Sequence, residues 1–451
     1  MKFQRLTFTI LLLSFISLPA SAQFFEYDLE ANAYGNYYSG EESPFWFHSN
    51  KRGRIDETAN FSTWLNGSAR TYFNNESFLE VGAGILFQDG YIDRLRFDES
   101  YLKYQNSWFS ITAGREHRQE KYSGLSASNE NILWSLNARP LPGIQIETNK
   151  PIFFSNDHGL GFTASYGEYF LDDDRFVRNT RVHHKSLNIV YKTAGNFQLS
   201  AGLQHFVQWG GTSPEYGELS SGLDGYIRVI TGQQGDSENG VLENAEGNQL
   251  GSYEVKLSTE INKYKVELLY NNLFEDGSGR MLYNTPDGRY GIYIEDTYKL
   301  EQNSWIKAVM YELYYTRDQS EGSGTTDGDD NYFVHNMYKS GWTYENKVIG
   351  VPFITMNEDR TRVYNNTIVA HHLAFTGMAF GGLPYKFLGS YRSNYGNKGN
   401  DILDNTIFST LLDAEVFNRN NFIIDVQLGA DFISDASSRV GAGIKISKVI
   451  Y

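Results

Sequence analysis

Residues 422–432 set Phe422, Ile424, Val426, Leu428, Ala430 and Phe432 against Asp425, Gln427, Gly429 and Asp431. Side chains on a strand point alternately to opposite faces, so strict period two describes a ribbon with one apolar and one polar side. Six apolar side chains over eleven residues match the ~9–11 residues that a tilted transmembrane strand needs. The pattern recurs. Phe25, Tyr27, Leu29, Ala31 and Ala33 oppose Glu26, Asp28, Glu30 and Asn32, and Leu79, Val81, Ala83, Ile85 and Phe87 share one face of 79–87. A half-buried strand of a soluble sandwich alternates too, so the connections have to decide.

Tight turns are expected near Asn74-Asn75, Asn106-Ser107, Gly195-Asn196, Asn262-Lys263, Gln302-Asn303, Asn346 and Asn418–Asn420. Asn tolerates the left-handed backbone that short hairpins require. Long polar segments at 210–250, 273–290, 317–331 and 393–402 join the opposite strand ends. Short turns at one end and long loops at the other are the profile of an outer-membrane barrel. The loops Gly232–Gly251 and Asp318–Asp330 are acidic and rich in Gly and Ser, a composition that resists ordering. The expected fold is therefore an all-β, transmembrane antiparallel β-barrel of roughly 16–18 strands, with 18 preferred. Simple strand alternation between Arg115 and Arg181 would put the 195–196 turn on the long-loop side. A lumenal plug including part of 115–133, where Gly, Ser and Asn break the alternation, restores the parity.

Lys2 and Arg5, the apolar run Leu6–Leu18 and Ala20-Ser21-Ala22 have the form of a cleaved signal peptide, residues 1–22. The run is too short to span a bilayer as a helix. Residues 23–451 are then one outer-membrane barrel domain. The chain contains no cysteine, which excludes disulfides, thiolate metal sites and a lipoprotein anchor. Its formal net charge of −15 argues against nucleic acid as a partner. The last residues, Ile444–Tyr451, end on an aromatic and look like the signal used by the barrel assembly machinery. The face alternation slips near Ser447, which predicts a bulge or the strand end there.

None of the nine histidines sits in a His-Glu-x-x-His motif, nor is there a Gly-x-Ser-x-Gly. His183-His184 and His371-His372 lie in strand-like runs, so each pair points to opposite faces and cannot share a metal. Carboxylate runs such as Asp172-Asp173-Asp174 are expected in solvated loops, and no EF-hand spacing supports a calcium site. Neither catalysis nor a cofactor is expected. Binding chemistry gathers instead between Gly114 and Trp209. Arg115, Arg118 and Arg139 offer forked donors for acidic sugar substituents. Trp134 and Trp209 offer flat apolar faces for sugar rings. Asn137, Gln208 and His371 supply polar donors and acceptors.

At these residues the chain resembles the Wzi capsule-assembly family, in the branch found in Bacteroidetes. Ser-Leu-Asn-Ala-Arg-Pro-Leu-Pro-Gly at 135–143 and Gly-Leu-Gln-His-Phe-Val-Gln-Trp-Gly-Gly at 202–211 are similar to its central blocks. His335–Trp342, Val348–Phe353, Asn365-Asn366 and Val369–His372 follow in order. Where the better-known relatives carry a Trp-Trp-Gly-Pro-Gly type segment, this chain reads Lys121-Tyr122-Ser123-Gly124-Leu125-Ser126. The resemblance implies a non-catalytic outer-membrane barrel that binds capsular or exopolysaccharide and helps attach or assemble it at the cell surface. Outer-membrane lipid and the assembly machinery are its further expected partners. A diffusion channel or glycan-selective porin is the alternative; polar inward faces would line it.

Overall fold

A computed structural model of the chain describes residues 25–91, 93–155, 157–233, 246–275, 277–298, 304–321, 330–398 and 401–450. The signal-peptide segment, the 302–303 turn and the terminal Tyr451 lie outside them. Eighteen strands form one antiparallel ladder: β1 (Phe25–Tyr38), β2 (Phe61–Asn74), β3 (Ser77–Gln88), β4 (Arg96–Gln105), β5 (Phe109–Arg115), β6 (Gly143–Thr148), β7 (Gly159–Leu171), β8 (Thr180–Lys192), β9 (Gln198–Trp209), β10 (Asn248–Ile261), β11 (Tyr264–Asn271), β12 (Gly288–Asp296), β13 (Ala308–Tyr315), β14 (Ile368–Ala379), β15 (Leu383–Asn397), β16 (Asp401–Arg419), β17 (Phe422–Ile433) and β18 (Arg439–Val449). Each pairs with its sequence neighbour, and β1 pairs with β18 from Glu30↔Val449 to Tyr38↔Gly441. The sheet is closed, so no edge strand is left to aggregate.

Burial follows the alternation with the sense a membrane demands. On β17, Val426, Leu428 and Phe432 are exposed outside while Gln427 and Asp431 are buried inside. Exposed aromatics gather at two levels. Phe73, Trp108, Phe154, Tyr264, Trp305 and Phe380 flank the short turns, and Tyr37, Phe97, Phe170 and Phe432 lie toward the long loops. Two girdles around an apolar band are the signature of a lipid-facing wall.

The short turns owe their geometry to asparagine. Asn74 Oδ1 accepts from the amides of Glu76 and Ser77 at 2.9 and 2.8 Å, and Asn106 Oδ1 does the same for Trp108 and Phe109. Asn262, Asn420 and Asn421 adopt positive φ, a conformation asparagine accepts at low cost. Asn346 also adopts positive φ, but its turn joins the two-residue ladder Thr343–Tyr344 and Lys347–Val348 inside the barrel rather than two wall strands. Residues 393–402 are no long loop, because β15 and β16 run on to Asn397 and from Asp401. Ser447 marks neither bulge nor strand end. The β18 register continues through it on both sides, and its hydroxyl points inward to donate to Asn32 Oδ1 at 2.7 Å.

The insertion expected around 115–133 is real and larger, since 116–142 all lies between β5 and β6. It meets a second inward segment, 330–366, and a third that carries the helical turn α1 (Phe45–His48). Leu125, Ile132, Leu133, Trp342, Ile349 and Val351 are fully or almost fully buried in one cluster. Phe45 stacks on Phe353 at 5.6 Å between centroids. Main-chain bonds stitch the segments: Ser135 N donates to Ile349 O at 3.0 Å and Val351 N to Ile132 O at 2.9 Å. The barrel holds this plug by polar anchors. Glu312, buried on β13, accepts from Ser126 Oγ (2.7 Å) and Ala127 N (2.8 Å), and Arg289 beside it donates to Ser128 Oγ at 2.8 Å. His372 points inward and meets Leu125 O at 2.7 Å, whereas His371 points out. A Cβ on Gly429 would meet the ring of Phe47 at 2.6 Å; glycine there lets α1 seat against the wall.

Candidate functional site

The plug separates an outer chamber of the lumen from an inner one. The outer one, about 1350 Å³, opens among the long loops and is lined from the β4 start, the β5 end, the loop Asp172–Phe176 and the plug hairpin at Glu345. The inner one, about 900 Å³, lies under the plug, with Gln105, Asn149, Lys150 and Gln198 at its short-turn end.

Three arginines converge on Glu345 at the floor of the outer cleft. Arg139 reaches it at 2.5 Å, Arg96 at 2.8 Å and Arg115 at 4.0 Å. None of the four side chains is more than 12% exposed. Arg115 also donates to Tyr344 Oη at 2.8 Å and to Asp172 at 3.2 Å, and Arg139 donates to the Phe97 carbonyl. Gly53, at φ +62°, permits this placement, because a Cβ there would lie 2.4 Å from Arg139 Cγ. Alongside, Arg175 pairs with Asp173 at 3.3 Å. Burial lifts the Asp173 carboxyl above its usual range while Arg175 pulls it back. The Nε atoms of Arg96, Arg139 and Arg175 are buried without a hydrogen-bond partner. The floor thus gathers more guanidinium than carboxylate charge in a half-desolvated place, where an anion is worth more than in water.

In the inner chamber the ion pairs stand apart from one another and are more exposed. Lys103 pairs with Glu116 at 2.9 Å; Arg118 and Lys121 share Glu130 at 3.2 and 3.6 Å. Arg118 lies 4.5 Å over Trp134, whose edges meet Tyr169, His184 and Phe206. His117 faces Asp98 at 3.0 Å, and burial holds its pKa down to about 3, so it is neutral at pH 7.

The eight residues singled out from sequence therefore divide four ways. Arg115 and Arg139 meet in the outer cleft. Arg118 and Trp134 lie in the inner chamber, with the indole sandwiched. Asn137 ties two plug segments and Gln208 ties the wall to the plug: Asn137 Nδ2 donates to Val348 O at 2.9 Å and Gln208 Nε2 to Gly341 O at 3.1 Å. Trp209 and His371 point out of the barrel; Trp209 packs against Tyr226 and His371 meets Tyr311 Oη at 2.9 Å. A lumenal role for these two is corrected by strand parity, since Phe206 and His372 of the same strands face in. Sequence reading missed Arg96, Arg175 and Glu345. The signal for Arg96 was available, because it opens a strand directly after a loop holding Arg94.

A family model described as Capsule assembly protein Wzi matches residues 33–364. The chain belongs to the Wzi family. Among solved structures, Escherichia coli Wzi, described as a carbohydrate-binding β-barrel involved in group 1 capsule assembly, aligns with a TM-score of 0.63 at 13% identity, covering 93% of this chain and 84% of that one. Pseudomonas aeruginosa OccK3 aligns with a TM-score of 0.49 at 11% identity, covering 95% and 96%. No curated protein matches the chain in sequence. As a Wzi family member with a closed, lipid-facing wall, this is an outer-membrane protein.

Proposed function

We propose that the outer cleft binds an acidic capsular or exopolysaccharide and so helps hold or assemble it at the cell surface. The observation that carries this reading is the cluster of Arg96, Arg115 and Arg139 around one carboxylate at the floor of a cleft open to the exterior. Guanidinium forks fit the carboxylates of uronic acids or similar substituents through paired bonds. The cleft is about 1350 Å³, larger than the ~300–1,000 Å³ typical of small-molecule sites, which suits several sugar residues.

Two features favour a binder over a channel or an enzyme. The buried plug lies across the lumen between the two chambers, the reverse of a diffusion path. No histidine among the described residues lines the cleft, and Asp172, Asp173 and Glu345 are engaged by arginines. We further infer that residues 1–22 direct export and are removed, that residues 23–451 form one domain, and that the barrel assembly machinery inserts it.

The test is retardation of purified protein in gels cast with acidic polysaccharide. Arg94, exposed at the mouth, makes no ion pair among the described residues. Replacing Arg94 and Arg115 together by alanine is expected to weaken retention at least tenfold, about 1.4 kcal/mol, and deleting the gene should shed polysaccharide into the medium. Unchanged cell-bound polysaccharide together with no retardation by the native protein would discard the reading.

A further inference from the structure

The outer wall near the long-loop end carries chemistry that the lumen does not explain. Parity puts Arg181, His183 and Lys185 of β8 outside, above the lipid-facing Leu187, Ile189 and Tyr191. Against this polar patch lies a helix, α2 (Leu223–Thr231). Its inner side buries Gly225 and Val229, and Tyr226 packs on the outward Trp209 with centroids 5.1 Å apart. Tyr226 Oη donates to Glu168, which also meets His183 at 2.6 Å. The Lys185 ammonium donates to the Ile230 carbonyl, satisfying one of the orphan acceptors at the helix C-terminus. The helix is therefore docked on the exterior wall, not in the lumen.

Its other side is apolar and uncovered, with Leu223 74% and Ile227 49% exposed. A neighbouring loop repeats the arrangement. Phe274 is bonded both ways to Gly251 on the outer wall, and the turn after the short helix α3 (Gly277–Arg280) presents Met281, Leu282 and Tyr283 outward. Arg181 lies 4.9 Å over Trp209, on which α2 packs, and Arg178 is exposed three residues before it; neither forms an ion pair among the described residues. Below it, a groove of about 640 Å³ runs down the wall, lined by Phe109, Ile146, Ala164, Leu187 and Leu203, with Lys185 also in its lining.

We propose that α2, Arg178 and Arg181 and the groove beneath them form a site for a phosphate-bearing glycolipid of the outer leaflet. The order of parts matches such a molecule: guanidiniums at headgroup level, an apolar helix face in the interface, and a dry channel for an acyl chain. An amphipathic helix with exposed leucine and isoleucine is stabilised by insertion at the headgroup boundary, and arginines beside it attract phosphate. The proposal requires only the outer-membrane location and is independent of what the lumenal cleft binds.

The experiment is native mass spectrometry of the mature protein in detergent with bis-phosphorylated lipid A, alongside its dephosphorylated form. A stoichiometric adduct is expected with the phosphorylated lipid, at least fivefold more abundant than with the dephosphorylated one. The Arg178→Ala/Arg181→Ala variant, shown folded by heat-modifiable mobility, should lose that preference. Because the chain has no cysteine, Ile227→Cys carrying an environment-sensitive dye gives a second readout: its emission should shift to the blue on reconstitution and be quenched by brominated lipid. Equal retention of both lipids, a dye that stays water-exposed, or a protein dimer that buries this face instead of lipid would each overturn the proposal.

Discussion

The outer and inner chambers of the lumen are built from the same residue types and differ in how the charges are grouped and buried. In the inner chamber Lys103 has Glu116, and Arg118 and Lys121 share Glu130. In the outer cleft three arginines crowd a single Glu345 whose side chain is 12% exposed. Separate, partly exposed pairs contribute little. An excess of half-buried guanidinium is costly until an anion arrives, so it marks a place kept for one. Charge content alone does not distinguish a lining from a site; crowding of like charge under burial does.

The comparison depends on the plug, so the largest effect should come from loosening it. Trp342 is fully buried, lies 5.3 Å from Phe206 and donates its indole N–H to Leu133 O at 2.6 Å. Trp342→Ala removes this packing and leaves that carbonyl without its donor. The expected loss is about 3–5 kcal/mol of plug stability. Planar-bilayer recording checks it: a silent native barrel should become a flickering conductor. A variant as silent and as protease-resistant as the native protein would show that the chambers are separated by something else.

A change inside the outer cleft should be smaller and of opposite sign for binding. Glu345→Gln removes the anion that competes for Arg96, Arg115 and Arg139 and leaves their mutual repulsion uncompensated. Stability is expected to fall by about 1–3 kcal/mol, while retention by acidic polysaccharide tightens three- to tenfold at low salt. The matching change below the plug, Glu130→Gln, touches an exposed pair and should alter stability by less than about 1 kcal/mol and binding not at all. Equal binding effects in both chambers would erase the distinction drawn between them.

Much of the fold was legible because a barrel wall is written locally. Alternation at 79–87 and 422–432 and the asparagine turns report strand and hairpin physics that need no distant partner. The parity conflict between Arg115 and Arg181 even located an insertion. The site was much less legible. Whether Trp209 and His371 face in or out turns on a one-residue register that alternating sequence near the rim leaves open, since both faces there carry aromatic and polar groups. Glu345 could not be weighed without knowing that a hairpin some 200 residues downstream of Arg139 in sequence folds back into the lumen. In the 330–366 segment the sequence offers a tight turn at Asn346 but not its place inside the lumen, because a plug packed on all sides requires no period.

A pH-dependent effect tests whether the plug's rim is matched for neutral pH. Asp287 is fully buried where the loop before β12 meets the second plug segment; it accepts from Tyr332 Oη and the Gln319 amide at 2.7 Å and from the Asp318 amide at 2.9 Å. Burial outweighs those bonds and pushes its pKa up to about 6. A carboxyl whose folded pKa lies above the unfolded value near 4 binds more protons when folded between those two pH values. Stability from this group is therefore gained as pH falls from about 6 toward 4 and lost as pH rises through 6. Asp287→Asn removes the titration. The stability difference between native protein and variant should accordingly shift by about 1–2 kcal/mol in favour of the native protein between pH 7 and pH 5. Urea unfolding followed by tryptophan emission at the two pH values measures it. A difference that does not move with pH would mean that the three donors, and not desolvation, set the charge state, and that the rim is electrostatically satisfied as it stands.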